Sequence, residues 1–362
     1  QFLAGEINQP MTLAWGGDVI EAPDSKFELE VMNTDVADWQ PWLGRHAHSG
    51  AVTASVKIGF KKNGREIRFG SSGSISSLQL PVNGKVIEVG DFNLTARGQV
   101  TDFQKLDFTQ FAAEAGRPGK NYFKYDGKPV MDITARTIAG TGKLEGELPI
   151  YLSWFPQKGI IFKAGRMEYA GSFSANLRSP QSQSIEGKLT VQNVQATIHK
   201  SNVTNFTGTA EVKLRLDEGH RLHIGSINAN GFLNDKRLAT QVYTAGAWNL
   251  RDGSAKLDVV VVKGLDLALL KTALPIKGVT SGWVDTNLQT VDHKPGKTTT
   301  AKGFASIRGG VAKAWESALN IDGSGDVELT WLDRGRFRIQ ASDLHVKSLN
   351  KENLERHDSE LN

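Results

Sequence analysis

The residues able to do chemistry are few and scattered. Histidines form two close pairs, His46 with His48 and His220 with His223. Either pair could touch a metal ion, but no third ligand clusters with it, so solvated loop histidines are the simpler reading. GTGK at Gly140–Lys143 has the outline of a phosphate loop. The pattern fails, because Thr137 stands where an earlier glycine is needed and Leu144 where Ser or Thr is. A turn between strands explains it better. GSSGSISS, residues 70–77, lacks the strand–elbow–helix setting of a nucleophilic serine and reads as a glycine-serine turn. The carboxylates are dispersed, with no acid/base couple among them. Cysteine is absent, which excludes a disulfide framework, a thiolate zinc site and a cysteine nucleophile. The expectation is a protein that is not an enzyme, with no catalytic residues, no metal and no cofactor.

Composition narrows the remaining classes. Hydrophobic residues make up 39% and charged residues 23%, which suits a folded chain rather than a disordered or membrane-embedded one. Lys and Arg number 43 against 39 Asp and Glu, and this small excess is spread out. The densest basic cluster, Lys61, Lys62, Arg65 and Arg68, surrounds an Asn63–Gly64 hairpin turn. Nucleic-acid binders gather their basic residues on one face, so no nucleic-acid partner is expected. No apolar run reaches the ~20 residues of a membrane span. The first residue is Gln1, and the chain opens mid-pattern, as a fragment of a longer protein would. The missing cysteines also suit an oxidising compartment such as the bacterial periplasm.

The elements that would carry a function are strands. Apolar and polar residues alternate through most of the chain, as in Phe27, Leu29 and Val31 against Lys26, Glu28 and Glu30. Glycine, with 38 residues, punctuates short alternating runs. Roughly twenty short strands follow, mostly antiparallel hairpins. Turns are expected at Asn63–Gly64, Asn83–Gly84, Asn234–Asp235 and 333–335. MTLAWGGDVI, residues 11–20, is a further strand, and GTGKLEGELPIYLSWF continues as strand. AKAWESALN, residues 312–320, reads as a short helix, and the charged tail SLNKENLERHDSELN, residues 348–362, frays or caps the assembly.

One stretch organises the rest: Leu257–Leu288, with the strand LDVVVV, the helical turns GLDLALLKTALP and a returning strand GVTSGWVDTNL. Asp266 is placed to cap the helix and Pro275 to end it. Residues 30–56 repeat the pattern with Asp35 as cap. A weaker copy has Asp107 as cap and a helical face of Phe108, Phe111 and Ala112, and a degenerate copy covers Leu189–Leu214. From Asp35 to Asp107 is 72 residues and from Asp107 to Asp266 is 159, as if one copy had lost its helix. The expected organisation is one continuous segment over 1–362 with units near 1–98, 99–185, 186–250 and 251–350, then the tail 351–362. Trp39 and Trp42, three apart, pack the first helical turn onto the sheet, with a membrane-interface role as the alternative. Sequons at Asn93, Asn202 and Asn205 read as chance.

About twenty strands cannot stay one flat layer. They either pack as two sheets or curl so that the apolar face lines a groove. The groove reading places Val52, Val56, Ile58, Val212, Leu214, Leu216, Val259, Val261, Val327 and Leu329 in one continuous channel.

The units "TDVADWQPWLGRHAHSGAVTASV" and "LDLALLKTALP…GVTSGWVDTNL", with the glycine-led "GKLEGEL", resemble the repeating unit of the AsmA-like family of Gram-negative bacteria. The resemblance implies an all-β fold: an elongated, curled antiparallel sheet forming an open hydrophobic groove, with short helices between repeats. It implies a periplasmic protein anchored in the inner membrane by a segment outside this chain. It further implies transfer of phospholipid between inner and outer membranes, with membrane proteins as possible partners at the groove's ends. The residues agree, since a one-sided apolar groove would give acyl chains a water-free path. Two alternatives stay open: a structural or adhesive β-solenoid, and an enzyme on a β scaffold, which would need a carboxylate pair.

Overall fold

The computed structural model describes residues 3–7, 24–39, 48–62, 65–82, 85–117, 120–150, 160–179, 182–198, 201–273, 279–294, 299–314, 317–332, 336–341, 344–348 and 358–361. The expected strand at 11–20, the turns at 63–64, 83–84 and 333–335, the residues Trp42, His46 and Pro275, and most of the tail lie outside them. The protein is all-β, with antiparallel pairing and short helical inserts. It divides into two compact units, residues 1–156 with 167–180, and residues 157–166 with 181–362.

The first unit holds β1 (Leu3–Ile7), β2 (Ser25–Asp35), β3 (Ser49–Lys61), β4 (Glu66–Val82), β5 (Lys85–Thr101), β6 (Lys105–Arg117), β7 (Lys120–Asp132) and β8 (Thr137–Glu147). Each pairs antiparallel with the next in chain order. From β9 (Ile160–Asn176), residues 167–176 belong here. The second unit continues with β10 (Gln183–Ile198), β11 (Ser201–Leu216), β12 (Arg221–Leu233), β13 (Lys236–Asn249), β14 (Ala255–Asp266), β15 (Val279–His293), β16 (Thr299–Ala314) and β17 (Ser317–Leu332), again antiparallel in order. β18 (Arg336–Ala341) and β19 (Leu344–Ser348) both pair with β17, and β20 (Asp358–Leu361) pairs with β19, so the end of the tail caps a sheet edge.

Turn chemistry sets several registers. Leu233 pairs with Lys236 across Asn234 and Asp235, whose φ values of 51° and 61° are those of a type I′ hairpin turn. The pairs Lys61–Glu66 and Val82–Lys85 place hairpins where the Asn–Gly turns were expected.

Helix interrupts the strands at three described places. Val36–Trp39 is a 3-10 turn whose Ala37 N–H donates to Asp35 Oδ1 at 2.9 Å. Residues 148–150 begin a helix. α1 spans Leu267–Ala273, and its Leu269 N–H donates to Asp266 Oδ1 at 3.0 Å, so Asp266 caps it as the spacing implied. The starts at 36, 148 and 267 lie 112 and 119 residues apart. The inserts follow β2, β8 and β14, six strands apart, so the 72 residues from Asp35 to Asp107 are not the interval between inserts. Each opens on a buried apolar residue near its start: Val36, Leu148 and Leu269.

Three local expectations are overturned. Residues 103–116 are not helical; they form the turn before β6 and β6 itself. Phe108 and Phe111 are three apart, the spacing of a helical face, but β6 holds one extra residue at Thr109 relative to β5. The bulge returns both phenylalanines to one sheet face, with ring centroids 5.3 Å apart. Residues 312–314 end β16 and residues 317–320 begin β17, with Ala314 paired to Ser317, so the described part of the expected helix is strand. GTGKLEGELPIYLSWF leaves the strand after Glu147 and turns helical at Leu148, with Pro149 in a helix's favoured first positions.

Candidate functional site

Cross-strand partners share a face, so the registers trace each side of the sheet. In the first unit one row runs Leu29–Val56–Ser71–Ala96–Phe111–Gly127–Gly142, from β2 to β8. The next row on that face runs Val31–Ala54–Gly73–Leu94–Ala113–Tyr125–Leu144. Neither carries a formal charge. The opposite face reads Glu30–Ser55–Ser72–Thr95–Ala112–Asp126–Lys143, and pairs such as Lys57 with Glu28, 3.1 Å apart, decorate it.

The second unit repeats the division. Gly187–Val212–Ile227–Thr244–Val260–Leu288–Gly303–Val327 crosses eight strands on one face. Its neighbour is Ile185–Leu214–Ile224–Gly246–Leu257–Val291–Ala301–Leu329.

These apolar faces are not sealed. Most of their described residues are half-buried. Leu233, 2% exposed, is the largest fully buried side chain among the described residues. Leu78, Val89 and Ala115 form one small buried cluster with Ile75, Leu80, Phe92 and Phe123 against it. Leu233 and Leu269 form another, where α1 lies over Val203, Phe206 and Leu238. Two packed sheets of this length would bury many more large side chains than that.

Relief on the first face comes from side-chain size. Phe69, Phe108, Phe111, Tyr125 and Phe173 form a chain of edge-to-face rings with centroids 5.3–6.4 Å apart. Beside them the floor is glycine, alanine and serine. Gly142 lies under Tyr125, where an added Cβ would come within 2.7 Å of the hydroxyl. The GTGK segment is therefore strand interior, not a turn, and its glycines are set by close approach of Tyr125 and Pro129. GSSGSISS likewise lies inside β4, where Ser71 and Gly73 pave the apolar floor. The Tyr125 hydroxyl is buried with no hydrogen-bond partner among the described residues. Burial, and then the charge of Asp126, hold its pKa above the usual tyrosine value.

Among the expected groove residues, Val52, Val56 and Ile58 lie on the first unit's apolar face. Val212, Leu214, Leu216, Val327 and Leu329 lie on that of the second. Val259 and Val261 do not. Between Ala245 and Gly246 the partner on β14 jumps from Val259 to Leu257, so Asp258 is an extra residue. The bulge puts Val260 and Val262 on the apolar face, and Val261 opposite Tyr243 and Asn287 on the other. A period of two along the sequence could not locate it.

The polar side carries the ionisable groups. His223 Nε2 lies 2.8 Å from Asp217 Oδ2, which engages the histidine locally and holds the Asp217 pKa below its usual value, with the Arg221 N–H as a further donor. Glu66 is likewise held low, by hydrogen bonds from Lys62 and then Arg68. No group of three or more His, Asp or Glu positioned for a metal occurs among the described residues. A shallow, open depression of about 500 Å³ in the first unit is lined by Val31, Ala54, Gly73 and Leu94 of the apolar row together with Glu30, Thr53, Ser72 and Asn93 beside them.

Fold and face together define a class: open antiparallel sheet with one apolar and one polar side. Comparison with protein families, with curated proteins and with solved structures finds no match to this chain.

Proposed function

We propose that the protein is a lipid-transfer module of the AsmA-like kind, which receives phospholipid acyl chains on its apolar sheet faces and passes them along. On this reading it works in the periplasm between inner and outer membranes, held to the inner membrane by a segment outside this chain. The observation that carries the proposal is the uncharged, half-exposed face traced through seven strands of the first unit and eight of the second. An acyl chain leaving water gains about 0.8 kcal/mol per methylene buried, so such a face has ample affinity for lipid without a reacting group. Rows of Gly, Ala and Ser beside larger residues favour a chain that lies flat and slides. The headgroup stays at the rim, in water.

The described helices include none long and apolar enough to cross a membrane, so any helical anchor would have to come from elsewhere. An adhesive β-solenoid is the alternative. Such coils pair their strands in parallel around a filled interior, whereas the pairs here are antiparallel hairpins. The test is extraction of lipid from the purified protein and native mass spectrometry. Phospholipid that co-purifies, and is lost in Val56→Asp and Val212→Asp variants with intact circular dichroism, supports the carrier. A lipid-free protein that also fails to take lipid from vesicles removes it.

A further inference from the structure

At the strand end opposite the inserts, the first unit builds a continuous ledge. The turns between β3 and β4, β5 and β6, β7 and β8, and after β9 all lie there. Backbone hydrogen bonds tie each described turn to the next. Asp102 N–H donates to Arg65 O, Ile133 N–H to Gln104 O and Leu177 N–H to Arg136 O, each at 2.8 Å. The Arg178 guanidinium adds a bond to Thr134 O at 3.3 Å. The turns thus form one fixed surface.

The tips of that ledge are apolar and out in water. Phe103 is 64% exposed, Leu177 47% and Ile133 37%. Phe103 also has φ 55°, beside Asp102 at 49°, a conformation a bulky residue adopts only at a cost in strain. Neither packing nor backbone preference accounts for an aromatic ring at that position. Glycine would suit the turn better.

Basic residues surround the tips. Lys61, Lys62, Arg65, Lys105, Arg136 and Arg178 are all exposed. The acidic residues at this strand end are Asp24, just before β2, and Glu66, Asp102 and Asp132 of the turns. Six positive charges against four negative leave +2 among the described residues of this ledge.

We infer that the ledge of Phe103, Ile133 and Leu177 is a docking surface for an anionic phospholipid bilayer. Apolar tips ringed by Lys and Arg suit the headgroup boundary, where rings and aliphatic tips enter and cations meet phosphates. The inference does not rest on the lipid-carrying reading, because a protein can sit on a membrane without drawing lipid from it.

The test is flotation of the full chain with vesicles of phosphatidylcholine, with and without phosphatidylglycerol. Wild type is expected to float with the anionic vesicles, to stay behind with neutral ones, and to be released by salt. Replacing Arg65, Arg136 and Arg178 together with Ser is expected to weaken binding roughly a hundredfold at low salt. Phe103→Gly is expected to weaken it about tenfold while the melting temperature holds or rises, since glycine relieves the strained φ. A packing role for Phe103 predicts a lower melting temperature instead. Failure of wild type to float with anionic vesicles overturns the inference, as does wild-type flotation by both variants. Lipid extraction reads the apolar faces separately, so either proposal can fail alone.

Discussion

Leu269 of α1 rests against Leu233, the last residue of β12, and the two are 8% and 2% exposed. The contact folds a helical insert back onto the end of the apolar face, over Val203 and Phe206. It is the deepest packing described in the second unit. Leu269→Ala is expected to lower stability by about 2–5 kcal/mol, because it leaves a cavity over Leu233. Urea unfolding measures the loss. Amide exchange should localise the loosening to β11–β13, and unchanged protection there would mean that the insert is not what holds this end.

The bulge at Asp258 makes two neighbouring valines unequal. Val260 lies on the apolar face in register with Val212, while Val261 points to the polar side. On the proposed function, Val260→Asp abolishes lipid retention and Val261→Asp keeps most of it. Equal behaviour of the two, with both variants folded, would contradict the registered face as the lipid path.

Tyr125 and Gly142 make a matched pair. Removing the unpartnered hydroxyl by Tyr125→Phe is expected to raise stability by about 1 kcal/mol. Gly142→Ala pushes a methyl group into the ring and is expected to cost about 1–3 kcal/mol. Combining Gly142→Ala with Tyr125→Ala should recover much of that cost, and strict additivity in the double-mutant cycle would show that the ring is not the obstacle.

Acid should loosen specific turns. The pKa values of Glu66 and Asp217 are lowered in the folded protein, so each stabilises it above the ordinary carboxylate range. That contribution falls away as pH drops through the lower folded values. Glu66→Gln and Asp217→Asn are each expected to flatten the stability curve below about pH 4. Asp217 is partly exposed, and the Lys62 and Arg68 partners of the buried Glu66 are out in water, so the effect should be small and weaken in salt. A wild-type slope in both variants would place the acid sensitivity elsewhere.

Much of this fold was legible from local pattern. Phe27, Leu29 and Val31 against Lys26, Glu28 and Glu30 mark a two-faced strand, and the structure pairs them with Ile58, Val56 and Ala54. Asp266 was legible as a cap because capping is a contact three residues long. The insert at Leu148 was missed, although Pro149 signalled it. The ledge was missed because the Phe103 turn is joined to turns distant in sequence, to that of Arg65 before it and that of Ile133 after it, and through the latter to Leu177.

The amino-acid order alone determined that the chain forms strands with one oily and one wet side, since alternation along a strand is a property of adjacent residues. Which valines of Val259–Val262 meet the oily side was decided only in three dimensions. A bulge exists relative to a partner strand, and no residue reports how many residues its neighbour across the sheet has used. The same holds for Phe108 and Phe111, whose spacing fits a helix until β5 lies alongside and pairing makes them a strand.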